Sequence, residues 1–383
     1  MAARAVQSGM LNTEWRASAV ARLCLYTIAM ACAGGLAGCM PTSVTFQFGD
    51  DSMVRRTPVD ELSAPAGERA ESGGSGDVAL IDVRGLLLDS SSPGLFGSTG
   101  NPTAELAARL RAAAEDSRVK AVVLRMNTPG GGVTASETMH SIVRRFREST
   151  GKPVVISMGD VCASGGYYLS TAGDYVVAQP TGITASIGVI IPTVNFSEGM
   201  RRIGIVSRSI KSGANKDLAN PLEPMREPQF AVLQGMVDEF YAKFRAMVVE
   251  ARKSPGAVRT PGGATLQRAA LDMARLDELT DGRVMSGAQA VRAGLADAEG
   301  DLIDSLHIAR RLAGLSSARV VRFHRSRQTP TTVYGAPEEL AARGPASAGQ
   351  TGGGDINLIS LHMAPGPDQL STGGAYYLWM PGQ

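Results

Sequence analysis

The clearest pattern in the chain is a set of short apolar runs separated by amphipathic stretches. Val78-Ala79-Leu80-Ile81-Asp82-Val83, Lys120-Ala121-Val122-Val123-Leu124-Arg125, Pro153-Val154-Val155-Ile156-Ser157 and Asp174-Tyr175-Val176-Val177-Ala178 are short and mostly rich in valine and isoleucine. Runs of this length and composition read as strands buried on both faces. Between the first two, Thr103 to Glu115 has helical spacing, with Leu106 and Leu110 on one face. Between the second and third, Ser136 to Arg147 aligns Met139, Ile142, Val143 and Phe146. The β-α-β-α-β order needs helical crossovers and so predicts parallel strands in an α/β domain. Further on, Ile203 to Ile210 is strand-like. Glu227 to Lys253 reads as a long helix with Phe230, Leu233, Val237, Phe240 and Phe244 at helical spacing, a pattern of core or of subunit contact.

The two ends follow different patterns. Arg4, Arg16 and Arg22, opposed by Glu14, precede an apolar run from Leu23 to Leu36. That run is shorter than the roughly 20 residues of a membrane span, and a short apolar run behind a basic leader reads as an export signal. It ends in Leu36-Ala37-Gly38-Cys39, which resembles the lipobox of bacterial lipoproteins, where the chain is cut before a cysteine that then carries lipid. The expected organisation is a signal over 1–38, a flexible tether over 39–76, one catalytic domain over 77–315 and a low-complexity tail over 316–383. The tail ends in an unusually apolar stretch, Tyr376-Tyr377-Leu378-Trp379-Met380-Pro381.

Composition narrows the function. Of four cysteines, Cys24 and Cys32 fall in the signal and Cys39 at the cut, leaving Cys162 without an intramolecular partner. The chain has 38 basic and 36 acidic side chains; removing three Arg and one Glu with the signal leaves 35 of each. A neutral mature protein is not expected to bind nucleic acid.

Two loops after strands carry candidate chemistry. Asn127-Thr128-Pro129-Gly130-Gly131-Gly132 fits neither glycine-rich phosphate motif. Glycine N–H groups there suit an oxyanion hole better than a phosphate cradle, although glycine content alone favours a plain turn. Asp160-Val161-Cys162-Ala163-Ser164-Gly165-Gly166-Tyr167-Tyr168 places a serine between a strand and a helix-like run. A lone serine needs a base. His140, His307, His324 and His362 lie mid-helix, near the domain end, or in or near the tail, away from other polar chemistry. Cys162 among small apolar residues suits packing rather than a thiolate. Lys211-Ser212-Gly213-Ala214-Asn215-Lys216-Asp217 is a polar loop whose lysines could serve if desolvated, or could simply face solvent.

Taken together, these segments resemble the signal peptide peptidase A family. The matching stretches are Asn127-Thr128-Pro129-Gly130-Gly131, Ala163-Ser164-Gly165-Gly166-Tyr167-Tyr168, Thr184-Ala185-Ser186-Ile187-Gly188-Val189, Lys211-Ser212-Gly213 with Lys216-Asp217, and Asp281-Gly282-Arg283-Val284 through Gly294-Leu295-Ala296-Asp297. The resemblance spans about Val78 to Leu306 and implies a ClpP/crotonase-like ββα superhelix with mainly parallel strands. It implies Ser164 as nucleophile, Lys216 as general base, Ser186 orienting the lysine, and the N–H groups of Gly131 and Gly165 as oxyanion hole. No metal or cofactor is implied. The chain is one repeat long, and family members form rings in which Ser and Lys can come from neighbouring subunits. Ala185 and Cys162 depart from the residues often found at those positions.

The resulting expectation is a lipid-anchored endopeptidase on the exported side of the cytoplasmic membrane. It would cut extended apolar peptides, such as spent signal peptides or membrane-protein fragments, entering by strand addition beside 127–132. Two other classes share the fold: an acyl-CoA-binding crotonase-like enzyme, which does not require the Ser–Lys pair, and a non-catalytic envelope scaffold whose own tail could occupy the groove.

Overall fold

Two-residue alternation builds the central sheet. In β2 (Ser75–Arg84), Val78 and Leu80 join one buried cluster while Ala79, Ile81 and Val83 join another. β3 (Val119–Thr128) splits Ala121 and Val123 from Val122 and Leu124 in the same way. After β4 (Gly130–Gly132), the pattern recurs in β5 (Val154–Ala163) and β6 (Tyr175–Ala178). A strand that must fill both faces reads as a continuous apolar run, which explains the sequence pattern. One face is covered by α1 (Pro102–Glu115) and α2 (Val133–Thr150), through Leu106, Leu110, Met139, Val143 and Phe146. Much of the other packs on Leu306, Ala309 and Leu312 of a helix at Leu302–Leu312.

The computed structural model describes residues 54–63, 74–90, 92–94, 97–259, 265–324, 332–334 and 376–378. The expected signal, Cys39 and most of the tail lie outside them. Short strands β7 (Ile183–Ala185), β8 (Val284–Ser286) and β9 (Ala298–Glu299) follow, then β10 (Ser317–His324) and, near the C-terminus, β11 (Tyr376–Leu378). The nine-stranded sheet runs β1-β10-β2-β3-β5-β6-β9, with β1 at Arg55–Ser63; β7 continues off β5 and carries β8. All pairings along β10 to β9 are parallel, while β1 lies antiparallel on β10. This is the expected mainly parallel α/β fold.

The domain limits differ from those expected. β1 lies in the segment read as tether and β10 in the segment read as tail, yet both belong to the central sheet. β10 pairs with β2 from Ser317↔Ser75 to Arg322↔Leu80. The sequence of β1, with four charges and Pro58 in nine residues, shows no apolar run; tertiary pairing makes it a strand. Ion pairs reinforce the edge. Buried Asp77 receives Arg56 and Arg319, and half-buried Asp82 pairs with buried Arg322 at 2.5 Å. Arg322 also donates to the Val333 carbonyl at 2.5 Å, holding the chain just beyond the sheet.

The expected strand at 203–210 is not formed: these residues have no regular structure and are mostly exposed. The long helix is present at Glu227–Arg252, and we label it α4. Among the described residues, no helix is long and apolar enough to cross a membrane.

Because β1 and β10 complete the sheet, a fragment limited to 77–315 is expected to fail to unfold cooperatively, whereas 54–334 should do so. Urea denaturation followed by circular dichroism distinguishes the two. In the fragment that folds, Ile81→Ala, which empties a fully buried site, should cost about 2–5 kcal/mol.

Candidate active site

Ser164 is the single residue between β5 and α3 (Gly165–Ser170), at φ 52° and ψ −114°. This conformation is one that L-residues rarely adopt, and such strain persists only where surrounding bonds hold it. Here its N–H donates to the Ala185 carbonyl at 2.7 Å, and its own carbonyl accepts the Tyr168 N–H at 2.9 Å. The residues opposite are strained too: Ala185 has φ 68° and Ser186 φ 52°. They stay in place because β7 is held between β5, with Ala163 opposite Ala185, and β8; the Ser186 N–H also donates to Arg283 at 2.8 Å. Ser164 and Ser186 are therefore brought to one place.

The Ser164 hydroxyl is buried, and its Oγ has no hydrogen-bond partner among the described residues. Leaving such a group unpaired costs about 1–3 kcal/mol, so its retention calls for a chemical reason.

The glycine segment lies alongside, because β3 and β5 are parallel neighbours with Thr128 opposite Cys162. Rather than an open loop, Gly130–Gly132 forms the short strand β4. On one side, Leu87 donates its N–H to Gly130 O and accepts the Gly132 N–H, both at 2.9 Å. A Cβ on Gly131 would sit 2.1 Å from the Leu87 carbonyl oxygen, so glycine is required there. The opposite edge of β4 pairs antiparallel with β11. Gly165, the first residue of α3, has its N–H at the helix start, where no intrahelical acceptor exists.

Lys216 is placed differently. It is exposed on the segment between β7 and α4, and one chain does not bring it within hydrogen-bond reach of Ser164. Its loop is tied instead to α4: Gln229 donates to Asp217 at 2.9 Å and to the Ala214 carbonyl at 3.1 Å, while Lys211 pairs with Asp217. The same segment exposes Val194, Phe196, Ile203, Val206 and Ile210 to solvent, and the start of α4 exposes Phe230, Val232 and Met236. The apolar face of α4 is thus core only toward its C-terminal half, at Phe244 and Val248.

Cys162 is fully buried beside Ser170, Sγ to Oγ 3.2 Å, and burial pushes its thiol up to about 12. It packs. His140 is buried edge-on to Tyr168, which in turn packs edge-on to Phe244. Burial, helped by Arg144 and Arg147 against the opposing Glu137, lowers its pKa from the usual 6.5 to about 4. His324 meets Thr57 on the sheet edge at 2.9 Å.

A hydrogen-bond and ion-pair network supports the serine turn from behind. Tyr167, three residues past the serine, donates its hydroxyl to the Leu295 carbonyl at 2.9 Å. Two residues further, buried Asp297 pairs with buried Arg252 at 2.8 Å and accepts the Val176 N–H at 2.8 Å. The stretch Gly294–Asp297, which resembles the family's segment, clamps α3 and β6 to the end of α4. A lone aspartate after a small-residue turn carries no sequence signal of that.

A model of peptidase family S49 matches residues 146–260, a stretch containing Ser164, Ser186 and Lys216. The chain is 30% identical over 257 residues to a signal peptide peptidase SppA homologue of Enterococcus faecium, covering 67% of this chain and 70% of that one. It is 36% identical over 249 residues to protease 4 of Salmonella typhi and 29% identical over 273 residues to protease 4 of Haemophilus influenzae. Those matches cover 64% and 70% of this chain but only 36% and 40% of the relatives. A strained serine at the end of a parallel strand, beside a glycine strand, is a site for a serine hydrolase. The chain belongs to peptidase family S49, the signal peptide peptidase A family of serine peptidases.

Two stability outcomes follow. Ser164→Gly, which relieves the positive φ and removes the unpaired hydroxyl, should raise unfolding stability by about 1 kcal/mol. For His140, the unfolded chain takes up a proton below pH 6.5 while the folded chain resists until about pH 4. Stability should therefore fall as pH drops through that window, by about 2 kcal/mol between pH 7.5 and 5. In His140→Phe that part of the pH slope should disappear in denaturation curves at the two pH values.

Proposed function

We propose that this chain is a serine endopeptidase of the cell envelope that cuts extended apolar peptide segments. The observation that carries the reading is the buried, unpaired Ser164 hydroxyl beside a strand whose edge accepts an extended peptide. Strand addition to β4 exposes the peptide backbone, not its side chains, to the nucleophile. Ser164 Oγ attacks the carbonyl, the Gly131 and Gly165 N–H groups hold the oxyanion, and water releases the acyl-enzyme. Spent signal peptides and membrane-protein fragments are substrates of this kind. Cys39 carries the lipid that holds the enzyme on the exported side of the membrane.

The base is Lys216, supplied by a neighbouring copy in a ring and oriented by Ser186. Support comes from its exposure in the single chain together with the apolar side chains exposed around it. Such a surface is expected to be covered, and covering it would desolvate the lysine, which lowers its pKa toward the range of a base.

A fluorophosphonate probe should label the wild-type protein increasingly as pH rises, and should label neither Ser164→Ala nor Lys216→Ala. Labelling that survives Lys216→Ala would remove the base. Co-assembly of the two inactive variants in equal amounts should restore about a quarter of the sites if the pair is shared between copies. No recovery from verified mixed rings would place both residues in one subunit. Cys39→Ser should move the protein from the membrane to the soluble fraction.

A further inference from the structure

The loop that carries Lys216 is organised around one carboxylate. Asp217 follows the lysine directly in the chain, and its side chain is 11% exposed. Both of its oxygens are engaged, and neither by Lys216. Lys211 pairs with Oδ2, and Gln229 Nε2 donates to Oδ1 at 2.9 Å. The hydrogen bond from Lys211 is the main cause that holds the Asp217 carboxyl below the usual carboxylate range. Lys216 is exposed and, among the described residues, has no ion pair.

Gln229 is shaped for this contact. It is buried in the first turn of α4, beside the exposed Phe230, Val232 and Met236. Its second Nε2 hydrogen goes to the Ala214 carbonyl at 3.1 Å. Its Oε1 accepts the Arg226 backbone N–H at 3.1 Å and the Arg226 Nε–H at 3.3 Å. One orientation of the amide satisfies all of these, so its donors are fixed on the loop. The other charged groups on the elements packed here are Arg208 and Glu223 on the flanking stretches and Arg226 and Glu227 at the start of α4. Arg226 is occupied with the Ala214 carbonyl and Gln229, and none of the other three pairs with Lys216 among the described residues. At the Ser186 turn the charge is Arg283, paired with Asp281 and Glu278.

We infer, on the reading of Lys216 as base proposed above, that Lys211 and Gln229 are positioning residues that act through Asp217: they hold the carboxylate beside the base so that it cannot pair with the base. A lysine takes a proton from a serine only after losing its own. A free carboxylate next to the ammonium favours the charged form and opposes that loss. Covering the loop in an assembly makes the restraint more important, because charges interact more strongly away from water. The two lysines of the loop thus have separate tasks. Lys211 stays charged against Asp217, and Lys216 is left free to become neutral.

The test is the rate of fluorophosphonate labelling against pH in the full-length protein, with the mass of each assembly checked by light scattering. Lys211→Met should raise the pH of half-maximal labelling by about one unit and leave the rate at high pH close to wild type. Lys211→Arg should restore the wild-type profile, and Gln229→Met should shift it upward. Lys211→Met combined with Asp217→Asn should return the midpoint to the wild-type position or below, because the carboxylate to be restrained is gone. Should Lys211→Met fail to assemble, Asp217→Asn alone decides: the midpoint should fall, and a rise or no change would overturn the role. A Lys211→Met profile that loses rate at every pH without moving its midpoint would make the pair merely structural. A double variant that stays shifted would overturn Asp217 as the restrained group. These outcomes leave Lys216 standing as base, whereas labelling that survives Lys216→Ala removes the base and this role with it.

Discussion

The hydrogen bond from the Ser164 N–H to the Ala185 carbonyl ties together two strained turns that would each relax alone. β5 leaves the sheet at Ala163 and must reverse into a helix within one residue. β7 leaves Ala185 and must reverse with two residues at positive φ. Each turn is the other's anchor, and both are fixed by the flanking ladders of β5 with β7 and β7 with β8. The buried core below supplies the rigidity. Val161, Cys162 and Ala163 are all within 3% of full burial, so the strand end cannot shift to relieve the strain. The strand β4, the first turn of α3 and the clamp through Tyr167 and Asp297 are placed relative to that point.

The sheet and its helices were legible because they obey periodicities. Val78–Val83 and Lys120–Arg125 show the buried-strand run, and Met139, Val143 and Phe146 show the helix face. Observed boundaries extend these segments by a few residues, as at Val154–Ala163, where the polar Gly159 and Asp160 hide the continuation. The two added strands were not legible. β1 is made by pairing with β10, and nothing local distinguishes its charges from those of a linker. The segment 203–210 shows the converse error: alternating isoleucine and valine resembles a strand but finds no partner within one chain.

The site was legible in a different sense. No periodicity singles out Ser164, Ser186 or Gly131, and ordered motif resemblance brought them forward. What the fold adds is the reason for each residue type: an unpaired buried hydroxyl, a left-handed serine, and a glycine against the Leu87 backbone. What motif order could not convey is distance. Ser164 and Lys216 are 52 residues apart in sequence, and the intervening chain carries the lysine outward to solvent on a loop tied to α4.

The two margins of the sheet have a consequence for how this molecule meets others. An open sheet edge is a template for another strand, and unguarded edges lead to aggregation. Here one margin is β1, whose register slips at Pro58–Asp60 and whose charged residues punctuate its length. Proline offers no N–H to an arriving strand. The other margin, β9, has only two residues. Neither end of the nine-stranded sheet can recruit an indefinite series of neighbours, so growth by strand upon strand is blocked at both margins. Among the described residues, the three-residue edge of β4 takes an extended segment, β11, without lengthening the main sheet.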